Sequence, residues 1–148
     1  MSTPTQQTII SAVITQLQGI TVANGYNSNI GNNVNEFSTS KFDPDNDVLR
    51  TSVVDDDEYE PEQKSIDLWW WELPLTIEIE TSGNTSRQDA RKMVADVYSC
   101  IGADLTFSGN VETTYPGPLS IETHQDDKKV TKIYIGIIAV YQTSQWSF

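Results

Sequence analysis

Residues 73–111, LPLTIEIETSGNTSRQDARKMVADVYSCIGADLTFSGNV, constrain the fold more than any other stretch of the chain. Leu75, Ile77 and Ile79 alternate with Thr76, Glu78 and Glu80. A period of two marks a half-buried strand, apolar side chains inward and acidic ones outward. Ala90, Met93, Val94, Val97, Tyr98 and Ile101 then recur at the three-and-four spacing of one helix face. Ser86 is placed to N-cap that helix, and Asp89 stands in its first turn, where the helix end favours negative charge. Gly102 is expected to close it in a left-handed conformation. A second strand is expected after the helix. No catalytic pattern occurs in the segment; its order is spent on packing surfaces, which favours an assembly part over an enzyme.

The flanks extend the same reading. Thr3-Pro4-Thr5-Gln6 fits a capping box with Pro4 at the first helical position, followed by a stripe of Ile9, Ile10, Val13, Ile14 and Leu17 that Gly19 ends. Residues 23–33 form a Gly/Asn-rich loop without apolar period. Short strands are expected over 34–38 and 48–54, with a turn at 42–47. The charged run 55–64 reads as an exposed loop, and the loops at about 24–33 and 40–65 are expected to be mobile until assembly. Residues 66–80 resume an extended pattern, in which Pro74 argues for a bulge or an edge position. Short strands are expected at 105–107, 111–114 and 119–123, with Pro116-Gly117-Pro118 as a turn and 125–128 as a hairpin turn. The longest extended segment is 130–143: Ile133, Ile135, Ile137, Ala139 and Tyr141 share one face, while Ile138 and Val140 share the other, as in a central strand. Terminal strands linked by short turns pair antiparallel. The fold class is α+β, a single domain of an antiparallel sheet with two helices packed on one face and long loops.

A chain of 148 residues is long enough for a core without disulfides. No apolar run reaches the roughly 20 residues that span a bilayer, and no basic stretch followed by an apolar one marks a signal peptide. Cys100, the only cysteine, reads as a buried, inert thiol near the helix end. The formal charge of −12, from 21 acidic against 9 basic residues, disfavours adhesion to nucleic acid. Solubility accounts for it; so does a surface that lies beside DNA without holding it.

The chemistry-bearing residues do not assemble into a site. His124, the only histidine, falls near a hairpin tip without a nucleophile beside it. Asp43, Asp45 and Asp47 have the first spacings of a calcium loop, but Val48 and Val54 stand where glycine and glutamate are required, and Pro44 intrudes. Phosphate-cradling glycine motifs are absent from the sequence. No catalytic residue, metal ligand or cofactor is therefore assigned. The unusual feature is Trp69-Trp70-Trp71. In a strand, Trp69 and Trp71 face one side and Trp70 the other, and exposed tryptophan often marks an interface. Trp146 and Phe148 raise the same question. All five are candidate interface residues, with packing beneath the 40–65 loop as the alternative for the tryptophan run.

Four stretches, in order, carry a family resemblance: a first helix leading into GYNSNIG at 25–31; a strand followed by FDPDND; LPLTIEIET at 73–81 running into ARKMVADVYSCIGADLTFSG at 90–109; and a long strand closing on residues 139–143. The chain resembles the phage tail terminator proteins, the minor tail protein U-like group of long-tailed phages. Order and spacing carry the likeness, and the tryptophan run and Asp55 to Glu58 are not expected throughout the family. The resemblance implies a virion subunit, assembled in the host cytoplasm, that forms a hexameric ring at the head-proximal end of the tail. The ring would cap the tail tube protein, end its polymerisation and meet the head-tail connector protein. DNA would pass through its centre unbound, with Asp55, Asp56, Asp57, Glu58, Glu78 and Glu80 as candidate lumen charges. A head-closure or neck protein is the alternative within phage structure; a small metal-dependent hydrolase is the alternative from another class.

Overall fold

A computed structural model describes residues 3–36, 42–44, 48–55, 60–83, 85–125 and 129–148. The chain is α+β, as the periodicities predict. Among the described residues, two helices, α1 (Thr5–Leu17) and α2 (Arg87–Ala103), accompany six strands. These are β1 (Val34–Glu36), β2 (Leu49–Asp55), β3 (Pro61–Gln63), β4 (Leu68–Ser82), β5 (Thr113–Gln125) and β6 (Lys129–Ser144). The sheet runs β1-β2-β4-β6-β5, and β3 pairs separately with the start of β4. One pairing departs from expectation: β1 lies parallel to β2, so the sheet is mixed.

The alternation in β4 and β6 builds the core directly. Leu75 faces Ile137, Ile77 faces Ile135 and Ile79 faces Ile133 across the register, and all six are buried. The helix stripes close over this face. α1 buries Ile9, Ile10, Val13 and Leu17, α2 buries Ala90, Val94, Val97 and Ile101, and all join one cluster with the strand residues. Each valine, leucine or isoleucine among them contributes about 1.5–3 kcal/mol on burial. Cys100 is buried here too; its thiol donates to the Gln16 carbonyl at 3.3 Å, and burial pushes its pKa up.

The ends of the helices show what periodicity does not fix. Ser86 and Asp89 form a reciprocal capping box on α2. Gly102 does not close the helix; it stays helical and Asp104 is the extended C-cap. The Asp104 carboxylate then accepts from the Thr106 amide and hydroxyl and from the Ser108 amide. These bonds hold its pKa below the usual carboxylate range and wind residues 105–110 into turns instead of the expected strand. On α1, Pro4 is the N-cap rather than the first helical residue, and no side chain caps the helix. The Thr5 amide instead donates to the Phe148 carbonyl at 3.0 Å, joining the two ends of the described chain.

Among the described residues, parts of both loop spans are built into elements. Residues 24–33 include parts of two single 3-10 turns and bury Ile30 and Gly31. Asp96 of α2 accepts from the Asn27 amide at 2.9 Å, the Asn27 side chain at 3.0 Å and the Ser28 hydroxyl at 2.5 Å, tying that loop to the helix. The span 40–65 contains β2, which pairs with β4, and β3. Pro116-Gly117-Pro118 is a bulge within β5, not a turn. It presses on Gly136, where a Cβ would lie 2.9 Å from Pro118; only glycine fits beneath it. Pro74 falls between the register of β3, which ends at Trp71, and that of β2, which begins at Leu75. β4 is locally an edge there, where a residue without an amide proton is tolerated.

Candidate interface surfaces

The aromatic residues gather at the end of the sheet where β4 begins and β6 ends. Trp71 is not a surface residue: it is 7% exposed, stacks on Tyr141 at 6.1 Å and donates from Nε1 to the Thr143 hydroxyl at 2.9 Å. Burial pushes the Tyr141 hydroxyl up to about 12. Trp69 is half-buried on the same face, edge-on to Trp71 at 6.2 Å and to Trp146 at 4.9 Å. Phe148 packs edge-on against Trp71 at 5.8 Å and stays half exposed. Trp146 is 88% exposed. Trp70, half-buried on the opposite face, carries the Lys64 ammonium 6.0 Å from its ring centre. The five aromatics thus grade from core (Trp71) to open surface (Trp146), and the alternation of the tryptophan run assigns its sides correctly.

The candidate lumen charges do not form one exposed strip. Glu80 was expected outward, yet it is 8% exposed; its carboxylate meets Arg50 at 2.8 Å and Lys132 at 3.8 Å. It lies on the face without helices, but Arg50, Lys132 and the neighbouring Phe42, itself buried beside the Arg50 guanidinium, close over it. Glu78, two residues away on the same face, is partly buried, and burial, then the Glu80 charge, raises its pKa. Asp55 pairs in register with Leu75 and so belongs to the other face. Asp56, Asp57 and Glu58 lie outside the described residues, as do Asp45 and Asp47. His124 is exposed beside Glu122 at 3.1 Å. Among the described residues no group of three or more His, Cys, Asp or Glu side chains is placed to hold a metal, and no helix is long and apolar enough to cross a membrane.

A further surface was not legible in the sequence. Tyr98, Ile101 and Leu105, at the end of α2 and just beyond it, face Tyr115, Pro116 and Ile137 across a groove of about 350 Å³. Tyr98, Leu105 and Tyr115 are each more than one-third exposed, as is Leu119 further along β5. Tyr98 had been expected in the core stripe. Its place is given by a finer helical projection: Arg87, Arg91 and Tyr98 are four and seven residues apart and share a side of α2 that borders β5, where Arg87 donates to the Ile121 carbonyl at 3.0 Å. A second exposed apolar group lies elsewhere, at Ile66 before β4, at Leu68 where β4 begins and at Trp146. No protein-family model matches the chain, and no curated protein matches its sequence.

Proposed function

We propose that this chain is a structural tail protein of a long-tailed phage. As a ring, it would close the growing tail tube, end its polymerisation and offer the surface on which the head connector docks. The order of elements is that of the family resemblance, a helix, strands, a capped helix and a long closing strand. The observation that carries the reading is the pair of unlike apolar surfaces, Ile66, Leu68 and Trp146 in one place and Tyr98, Leu105, Tyr115 and Leu119 in another. A two-fold dimer needs one self-complementary patch, whereas a ring needs two different ones on each subunit. The net charge of −12 supports passage of DNA without adhesion. The test is negative-stain microscopy of the protein with purified tail tubes. Rings of six, or density confined to one tube end, are the expected result. A protein that neither forms rings nor binds tube ends refutes the reading.

A further inference from the structure

We infer that two copies of this chain join arm into groove: the β3–β4 hairpin of one, through Ile66 and Leu68, enters the α2–β5 groove of the next. The choice of a second copy as partner rests on the ring reading above. The contact itself rests on shape, apolar match and charge.

The arm is shaped before it meets anything. The amides of Lys64 and Ser65 both donate to the Leu68 carbonyl, at 3.2 and 3.4 Å, and fix the turn between β3 and β4. That turn presents Ile66 at 80% exposure and Leu68 at 40%. Ile66 and Leu68 together leave aliphatic surface in water, which burial against a partner would relieve. The groove offers the complementary surface. Its lining by Tyr98, Ile101, Leu105, Pro116 and Ile137 is apolar, and its volume of about 350 Å³ takes one or two aliphatic side chains. It is open at the flank of the molecule, beside the outer edge of β5, which no other strand covers among the described residues.

Charge orients the two. The arm carries Glu60, Glu62 and Asp67; Lys64 pairs with Glu62 at 3.1 Å and lies near Trp70, so Glu60 and Asp67 carry the arm's excess charge. The edge of α2 leading to the groove carries Arg87 and Arg91. Arg91 lies seven residues from Tyr98, about 10 Å along the helix. With Ile66 in the groove, the arm's excess of carboxylates faces the Arg91 side of α2. Arm and groove are different surfaces of one molecule, so each copy uses both and the contact propagates head to tail until it closes.

The experiment uses full-length protein with two substitutions at exposed positions, Ile66→Asp on the arm and Leu105→Asp in the groove. Thermal melts of both variants should match the parent, as expected for surface changes. Sedimentation velocity is run at about 20 mM salt, where screening is weak, up to about 1 mM protein. The parent should form species larger than dimers. Each variant alone should associate at least about 10-fold more weakly, the loss expected for one buried aliphatic. An equimolar mixture should form a one-to-one dimer and nothing larger, because only one intact arm and one intact groove remain. A parent that stays monomeric overturns the contact, as does a variant that associates like the parent or a mixture that stays monomeric. None of these results touches the tube-capping reading, which is decided by binding to tube ends.

Discussion

Asp96 is the single side chain on which residues 24–33 most depend, and its removal has a calculable cost. It is 2% exposed and its carboxylate accepts three hydrogen bonds, from the Asn27 amide, the Asn27 side chain and the Ser28 hydroxyl. Bonds to a charged acceptor contribute about 1.5–3 kcal/mol each, and a stranded buried donor costs about 1–3 kcal/mol. Asn27 is exposed, so water recovers part of the loss and the three bonds do not add. Asp96→Ala is therefore expected to cost about 3 kcal/mol in urea unfolding. A chain of this length unfolds with an entropy of roughly 0.3 kcal/mol/K, so Tm falls by about 10 °C. Asp96→Asn keeps Oδ1 for both Asn27 donors, and its amide can donate to the Ser28 oxygen; it should cost about 1 kcal/mol. Hydrogen exchange at residues 27–31 should accelerate in the alanine variant before global unfolding. A loss below about 1 kcal/mol for alanine, or equal losses for alanine and asparagine, refutes the claim that the buried carboxylate holds the loop.

Trp71→Ala should cost about 3–5 kcal/mol of folding stability, whereas Trp146→Ala should leave stability within about 0.5 kcal/mol and weaken binding to tube ends; thermal melts and a pelleting assay separate the two. Glu78 has a raised pKa in the folded state, so the stability tied to its proton is complete below the ordinary glutamate range and is lost as pH rises through the raised value. Glu78→Gln should accordingly raise Tm at neutral pH and leave it unchanged near pH ~3.5, well below the ordinary value; a gain that does not depend on pH refutes this. Gly31→Ala places a Cβ 2.6 Å from the Leu17 carbonyl and 2.7 Å from those of Gln18 and Ile20, and should cost about 2 kcal/mol or more by chemical denaturation.

The strands and helices that carry the core were legible because each obeys one period over many residues. Ile133 to Tyr141 alternate without interruption, and Ile9 to Leu17 keep a single stripe. What failed to show was structure built from single polar contacts. Gly102 looked like a helix terminator, yet the chain turns one residue after α2, around the Asp104 carboxylate, because three local donors converge there. Residues 24–33 looked free because they lack apolar periodicity. Ile30 supplies the buried anchor, with Tyr26 packed partly buried against the core, and the bonds to Asp96 come from a partner 68 and 69 residues away. The Pro-Gly-Pro bulge in β5 has the composition of a turn, and only the facing Gly136 distinguishes the two. The aromatic run was correctly divided between faces, but burial of Trp71 depends on Tyr141, Thr143 and Phe148, which no local pattern brings together.

The acidic face illustrates the same limit and bears on function. Alternation places Glu78 and Glu80 side by side on the surface of the sheet away from the helices, and nothing local tells them apart. The register does. Arg50, Glu80, Lys132 and Glu122 lie opposite one another across β2, β4, β6 and β5. They form a row of alternating sign, in which cross-strand neighbours attract. Ser52, Glu78, Tyr134 and Ser120 form the adjacent row, which has no cation of its own; burial, then the Glu80 charge, raises the Glu78 pKa. The Glu80 charge is offset within its own row and projects little field into solvent. If DNA passes this face, repulsion must therefore come from carboxylates without a cross-strand cation, and Glu78, not Glu80, is the one of the pair that supplies it. Lysine at position 80 would place a third cation beside Arg50 and Lys132 and disturb the sheet, so only position 78 separates an effect on DNA from an effect on folding.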